Sequence, residues 1–253
     1  MRPFSALLRK DVRQIRFFVL IGVLIVILGD LFFAWKAMSD SDWLGASIIF
    51  PTLHLFYLPF LFLYSLMQEK NQLHYWLHTP RPVWQLTLSK LLSATGAFII
   101  SMSVSAALPF YMLITQAEWP HLDEQLSQLK LLVSGASWFF SISSFYLCAM
   151  ILLIWALYYW LRTFAGKWVW VPVVLLVSGL NYALSYLSGT SAYQAVTRWG
   201  AFGFASEELR VNPGIPEFAN LGFLYTGEWI AGILQVALIF WLACWLLDKK
   251  VEL

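Results

Sequence analysis

Asp30 is the residue most at odds with its surroundings, a carboxylate inside the apolar run 17–35. An ionised carboxyl in hydrocarbon is costly, so such a group faces a bundle interior or a water-filled path, or takes up a proton. Asp30 therefore has two readings. It is a substrate or proton site, or it snorkels near the outer end or hydrogen-bonds a neighbouring helix. His54 and Asn181 also fall within apolar runs. They serve either as hydrogen-bonding contacts between helices or as groups along a substrate path. His74 and His78 stand at i, i+4, the spacing of two metal ligands on one helix face. No acidic third ligand is near them, so no metal site is expected. No Gly-x-x-x-x-Gly-Lys-Ser/Thr run occurs, and the chain is not expected to be an ATP-hydrolysing enzyme by itself. Energy for any work would come from a partner or from an ion gradient. Cys148 and Cys244 lie in apolar runs and read as small packing residues.

The elements that must position these groups follow from composition. Of 253 residues, 60% are hydrophobic and only 12% charged. A soluble domain carries about twice that share of charge, so the solvent of this chain is largely lipid. A net charge of +2 argues against nucleic acid as a partner. No cleavable signal peptide is expected, because the apolar run after the basic N-terminus is too long for one. A spanning helix needs roughly 20 apolar residues, since its backbone must satisfy its own hydrogen bonds. Six such runs are expected, at 17–35, 46–67, 91–115, 132–160, 168–187 and 229–247. The fourth is long enough to tilt or to project beyond the bilayer. With the N-terminus inside, 12 of the 16 Lys and Arg fall on the cytoplasmic side. They are Arg2, Arg9, Lys10, Arg13, Arg16, Lys70, Arg81, Lys90, Arg162, Lys167, Lys249 and Lys250. That bias places both termini in the cytoplasm. Trp35, Trp43, Trp119, Trp160, Trp168, Trp229 and Trp245 stand near span ends, where aromatic rings anchor at the interface. The expected fold class is all-α, a single polytopic transmembrane domain over 1–253.

Three segments outside the spans are informative. At 1–16, Phe4, Leu7, Leu8, Val12 and Ile15 recur at helical spacing among Arg9, Lys10, Arg13 and Arg16. This reads as an amphipathic interfacial helix in the inner headgroup layer. At 68–90, a polar start gives way to His74, Tyr75 and Trp76, breaks at Pro80 and Pro82, and resumes helical spacing from Val83. A helix cannot run through that proline pair undisturbed, so helix, turn, helix is expected. Its exposed aromatics need a cover, either membrane or protein. At 188–227, Tyr193, Trp199, Phe202, Phe204, Phe218 and Phe223 punctuate a long outer segment, read as short helices dipping into the outer leaflet. Pro51, Pro59, Pro109 and Pro172 lie within spans, which suits a bundle that changes shape.

Glu69-Lys70, then Leu77-His78-Thr79-Pro80, then Lys90 leading into the third span resembles the second loop of ABC-2 type permease subunits, the type V exporter class of ABC transporters. The amphipathic start, six spans and cytoplasmic ends are similar to that family over the whole chain. Many members have a glycine between the acidic residue and the leucine, where this chain has Asn71-Gln72-Leu73. The resemblance implies that 68–90 is a coupling helix seated on a separate ATPase subunit. Glu69, Lys70, His74, Trp76, Leu77, Pro80 and Arg81 would be its contacts. It also implies a second permease copy or a similar chain as partner, ATP and magnesium held by the ATPase, no cofactor in this chain, and an extracellular gate at 188–227. The location implied is a bacterial plasma membrane, among membrane lipids. The cargo implied is amphipathic: a peptide, a lipid or a drug. Other readings are a non-transport accessory or immunity protein, and an ion-coupled transporter working through Asp30. An intramembrane enzyme would need convergent ionisable groups, and Asp30 and His54 are not marked as a pair. Glu207-Glu208-Leu209-Arg210 resembles the paired glutamates of CAAX-type membrane proteases, but it lies outside a predicted span, and a protease is not expected.

Overall fold

The structure, a computed structural model, describes residues 3–37, 43–70, 81–116, 122–202 and 224–249. Within these, the side chains of 3, 30, 33–37, 43–54, 105–116, 122–140, 201–202 and 224 lie outside the description. The described residues form seven α-helices: α1 (Pro3–Ala37), α2 (Trp43–Glu69), α3 (Val83–Gln116), α4 (Leu122–Ala165), α5 (Trp170–Gly189), α6 (Ser191–Thr197) and α7 (Thr226–Lys249). A two-residue antiparallel pair, β1 (Ala201–Phe202) with β2 (Leu224–Tyr225), closes the approach to α7. The protein is therefore an α-helical, multi-pass membrane protein. Among the described residues, five stretches are long and apolar enough to span: Phe4–Gly29, Val83–Val104, Ser141–Trp168, Trp170–Gly189 and Thr226–Lys249. The second expected span, 46–67, falls inside α2, whose side chains at 43–54 lie outside the description.

Helix ends follow local chemistry. α3 begins directly after Pro82, which lacks the N–H a helix interior needs, and Gln85 donates its N–H to the Pro82 carbonyl at 3.0 Å. α4 ends where Gly166 takes φ +53°, a conformation open to glycine at little cost. Forty-four residues make α4 about 66 Å long, well beyond the roughly 30 Å hydrocarbon core. Residues 3–16 and the first span form one uninterrupted helix, since neither Pro nor Gly separates them. The side chains that α1 turns inward are Asp11, Ile15 and Val26, with Phe18 and Val19 packed beside them. Val12, expected on the apolar face, is 48% exposed.

The helices pack by stacking apolar and small residues. α1 lies on α3 and α2, α2 on α3 and α4, and α4 on α7 and α5. Leu58, Leu61, Phe62 and Leu66 of α2 meet Ala94, Ala97 and Phe98 of α3 and Leu152, Leu153 and Ala156 of α4. Ala94, Ala156 and Ala243 are fully buried, the small residues that let helix backbones approach where lipid gives no hydrophobic drive. At Gly22 an added Cβ would sit 2.5 Å from the Tyr57 ring, so α1 and α2 approach closely there. α2 carries Pro59, which has no N–H for the Leu55 carbonyl. The Ser144 hydroxyl of α4 donates to that carbonyl at 2.9 Å and restores the lost bond from a neighbouring helix.

Candidate functional site

The strongest polar feature sits where α1, α2 and α3 meet. Lys90 of α3 is buried with 1% of its side chain exposed, against 3% for Asp11 and 5% for Glu69. Lys90 Nζ lies 3.0 Å from Asp11 Oδ1, 3.1 Å from Glu69 Oε1 and 3.3 Å from Ser65 Oγ. An ammonium has three N–H donors, and these three acceptors take all of them. Lys10, half exposed on α1, donates to Glu69 Oε1 at 2.8 Å. The Ser89 hydroxyl donates to Asp11 Oδ2. Two cations and two anions thus form a neutral cluster with every charge paired. That is the condition under which charges persist in an interior.

Burial pushes the Glu69 carboxyl up, but the hydrogen bond from Lys10 and the charge and hydrogen bond of Lys90 outweigh it. The carboxyl is held below its ordinary 4.5. It stays ionised and remains an acceptor for both cations.

The cluster lies at one end of the bundle. Leu86, one turn before Lys90, packs on Leu7 of α1 and on Trp155 and Tyr159 near the end of α4. Thr87 faces Cys244 of α7 at 3.3 Å between Oγ1 and Sγ. Exposed cations therefore gather at this same end: Arg9, Arg13, Arg16, Lys70, Arg162, Lys167 and Lys249. The opposite end holds a single loose ion pair among the described residues, Arg198 with Glu228 at 3.9 Å.

The residues singled out from the sequence fall in different places. Glu69 is buried in the cluster, its carboxylate given to Lys90 and Lys10 and not held out on the surface. Lys70 follows it, exposed, and Arg81 stands half-buried just before α3. His74, Trp76, Leu77 and Pro80 lie outside the described residues. Asp30 and His54 lie on α1 and α2, with side chains outside the description. Asn181 joins α5 to α4: its Oδ1 accepts from the Tyr146 hydroxyl at 2.7 Å, and its Nδ2 donates to the Val177 carbonyl at 2.9 Å. Among the described residues no group of three or more His, Cys, Asp or Glu is placed to hold a metal.

Sequence reasoning passed over Asp11, Ser65 and Ser89, placed Lys10 on the polar face of the amphipathic 1–16 segment, and took Glu69 and Lys90 as parts of the loop motif without pairing them. One signal was available. Asp11 stands four residues from both Leu7 and Ile15, so it shares the buried stripe of α1. A carboxylate at such a position calls for a buried cation from another helix. Compared with protein-family models, curated proteins and solved structures, the chain matches none.

Proposed function

We propose that this chain is the membrane-spanning permease subunit of an ATP-driven transporter of the ABC-2 class. It would move an amphipathic cargo with the help of a separate ATPase subunit. The observation that carries this reading is the ion-pair cluster at the two ends of the 70–89 segment. Glu69 precedes that segment and Lys90 follows its helical start, and they pair with each other and with α1. A load applied to the loop is thereby passed to three helices together. That is the mechanical requirement for a coupling element that turns motion of an ATPase into motion of a bundle. The exposed cations at the same end agree with a cytoplasmic placement of that end. In the proposed topology α2 is the second span and brings the total to six. Lys70 and Arg81, together with His74, Trp76, Leu77 and Pro80, form the proposed docking contact, and Glu69 acts behind it by fixing its position. A second permease copy or a similar chain completes the path. ATP and magnesium belong to the partner.

The test is co-purification in detergent from native membranes, read by mass spectrometry. Wild type should bring down an ATPase subunit, and the combined Trp76→Ala, Leu77→Ala and Arg81→Ala variant should lose it. If wild type brings down no ATPase under conditions that preserve other membrane complexes, the reading fails and an accessory membrane protein takes its place.

A further inference from the structure

Away from the ion pairs, α2, α4 and α7 form an open cleft of about 450 Å³, lined by half-buried and exposed residues. That volume falls in the range of roughly 300–1,000 Å³ that small-molecule sites occupy. Phe56, Ile142 and Val236 supply apolar walls, and Gly232 contributes no side chain to fill the space. Phe56 is 61% exposed, so the cleft opens on the lipid-facing side of the bundle.

Two polar side chains from different helices line this space, Ser143 of α4 and Gln235 of α7. Neither has a hydrogen-bond partner among the described residues. Their neighbours differ: Ser144 donates to the Leu55 carbonyl and Tyr146 to Asn181. Gln235 stands about 14 Å along α7 from Thr226, well inside the apolar helix. At that depth no water satisfies an amide or a hydroxyl, and an unpaired one is costly. A plain acyl chain in the cleft leaves both groups unpaired. A ligand that presents a donor and an acceptor satisfies both, because an amide side chain and a hydroxyl each offer and accept.

We infer that this cleft binds an amphiphile with an amide or hydroxyl on or beside its acyl chain. Gln235 and Ser143 take the polar group, and Phe56, Ile142 and Val236 take the chain. The inference rests on the chain spanning a membrane and not on its being driven by ATP. The same chemistry is available from a resident bilayer lipid and from a ligand arriving from outside.

The test uses the full chain in phosphatidylcholine nanodiscs and two photoactivatable probes of equal chain length, a diazirine-bearing N-acyl ethanolamide and a diazirine-bearing alkane. Labelled peptides are mapped by mass spectrometry. The amide probe should label 141–147 and 232–236 roughly 5-fold more than the alkane, the worth of one ordinary hydrogen bond. Gln235→Leu with Ser143→Ala should remove that preference and leave alkane labelling unchanged. Both changes replace polar by apolar groups within spans, and a size-exclusion profile verifies folding. Gly232→Leu, which fills the cleft, should lower labelling by both probes. Equal labelling of wild type by the two probes overturns the inference, as does a preference that survives in the Gln235→Leu, Ser143→Ala variant. Native mass spectrometry separates the sources. An amide- or hydroxyl-bearing lipid retained by the chain and displaced by the probe marks a resident lipid. Uptake of the probe by a lipid-free chain marks a ligand from outside. Either result supports the site.

Discussion

Replacing Lys90 by methionine should be among the most damaging single changes in this chain. Methionine keeps the length and flexibility of the stem and removes only the charge and its three donors. The ammonium is 1% exposed and holds Asp11, Glu69 and Ser65 at 3.0, 3.1 and 3.3 Å. Its loss leaves two buried carboxylates, with only Ser89 against Asp11 and Lys10 against Glu69. Breaking a buried pair in this way costs about 3–5 kcal/mol, because an uncompensated charge remains. Against a total stability of roughly 5–15 kcal/mol, that is a large fraction. The assay is thermal unfolding in detergent, followed by tryptophan fluorescence, with size exclusion to detect aggregation. A second change separates charge from packing. Asp11→Leu in the Lys90→Met background removes the orphaned carboxylate nearest Lys90 and should recover about half of the loss, a non-additivity characteristic of residues in one network. Lys90→Arg should fall between, since a planar guanidinium cannot match three acceptors arranged around an ammonium. If Lys90→Met unfolds within about 0.5 kcal/mol of wild type, as an ordinary surface change does, the cluster is not a structural joint. Strict additivity of Lys90→Met and Asp11→Leu would refute the pairing itself.

Three further outcomes follow from the same geometry. Because the Glu69 carboxyl is held below its ordinary 4.5, it contributes stability above that value and loses it as pH falls below. The unfolding midpoint should therefore drop as buffer is taken from roughly pH 6 to pH 3, and Lys10→Gln should start the drop at higher pH. Ser144→Ala leaves the Leu55 carbonyl without a partner and should cost about 1 kcal/mol in thermal unfolding. Ser144→Ala combined with Pro59→Ala should cost less than Ser144→Ala alone, because alanine restores the missing N–H within α2. Gly22→Val should destabilise the packing of α1 on α2 by roughly 1–3 kcal/mol, since its Cβ meets the Tyr57 ring. Tyr57→Ala in the same chain should relieve part of that, measured by the same unfolding assay.

The sequence by itself determined the helices and their membrane solvent. Runs of apolar residues broken by Pro82 and Gly166 set where helices start and stop, because those preferences act within a few residues. The basic bias at one end was legible for the same reason. The 1–16 segment was read apart from the first span, yet no residue between them can break a helix, and α1 runs from Pro3 through the span. What only the tertiary structure decided is which charges leave water altogether. Asp11 and Lys90 are 79 positions apart, and Lys90 and Glu69 are 21. In sequence Glu69 and Lys90 stand at the two ends of a loop motif, and nothing local to either says that they meet each other or Asp11. A charge near a membrane boundary has two ways to avoid hydrocarbon: it can snorkel to the headgroups or meet an opposite charge inside the bundle. Local sequence is the same in both cases. The choice is made by whether another helix brings a partner to within about 3 Å, and that depends on how α1, α2 and α3 pack.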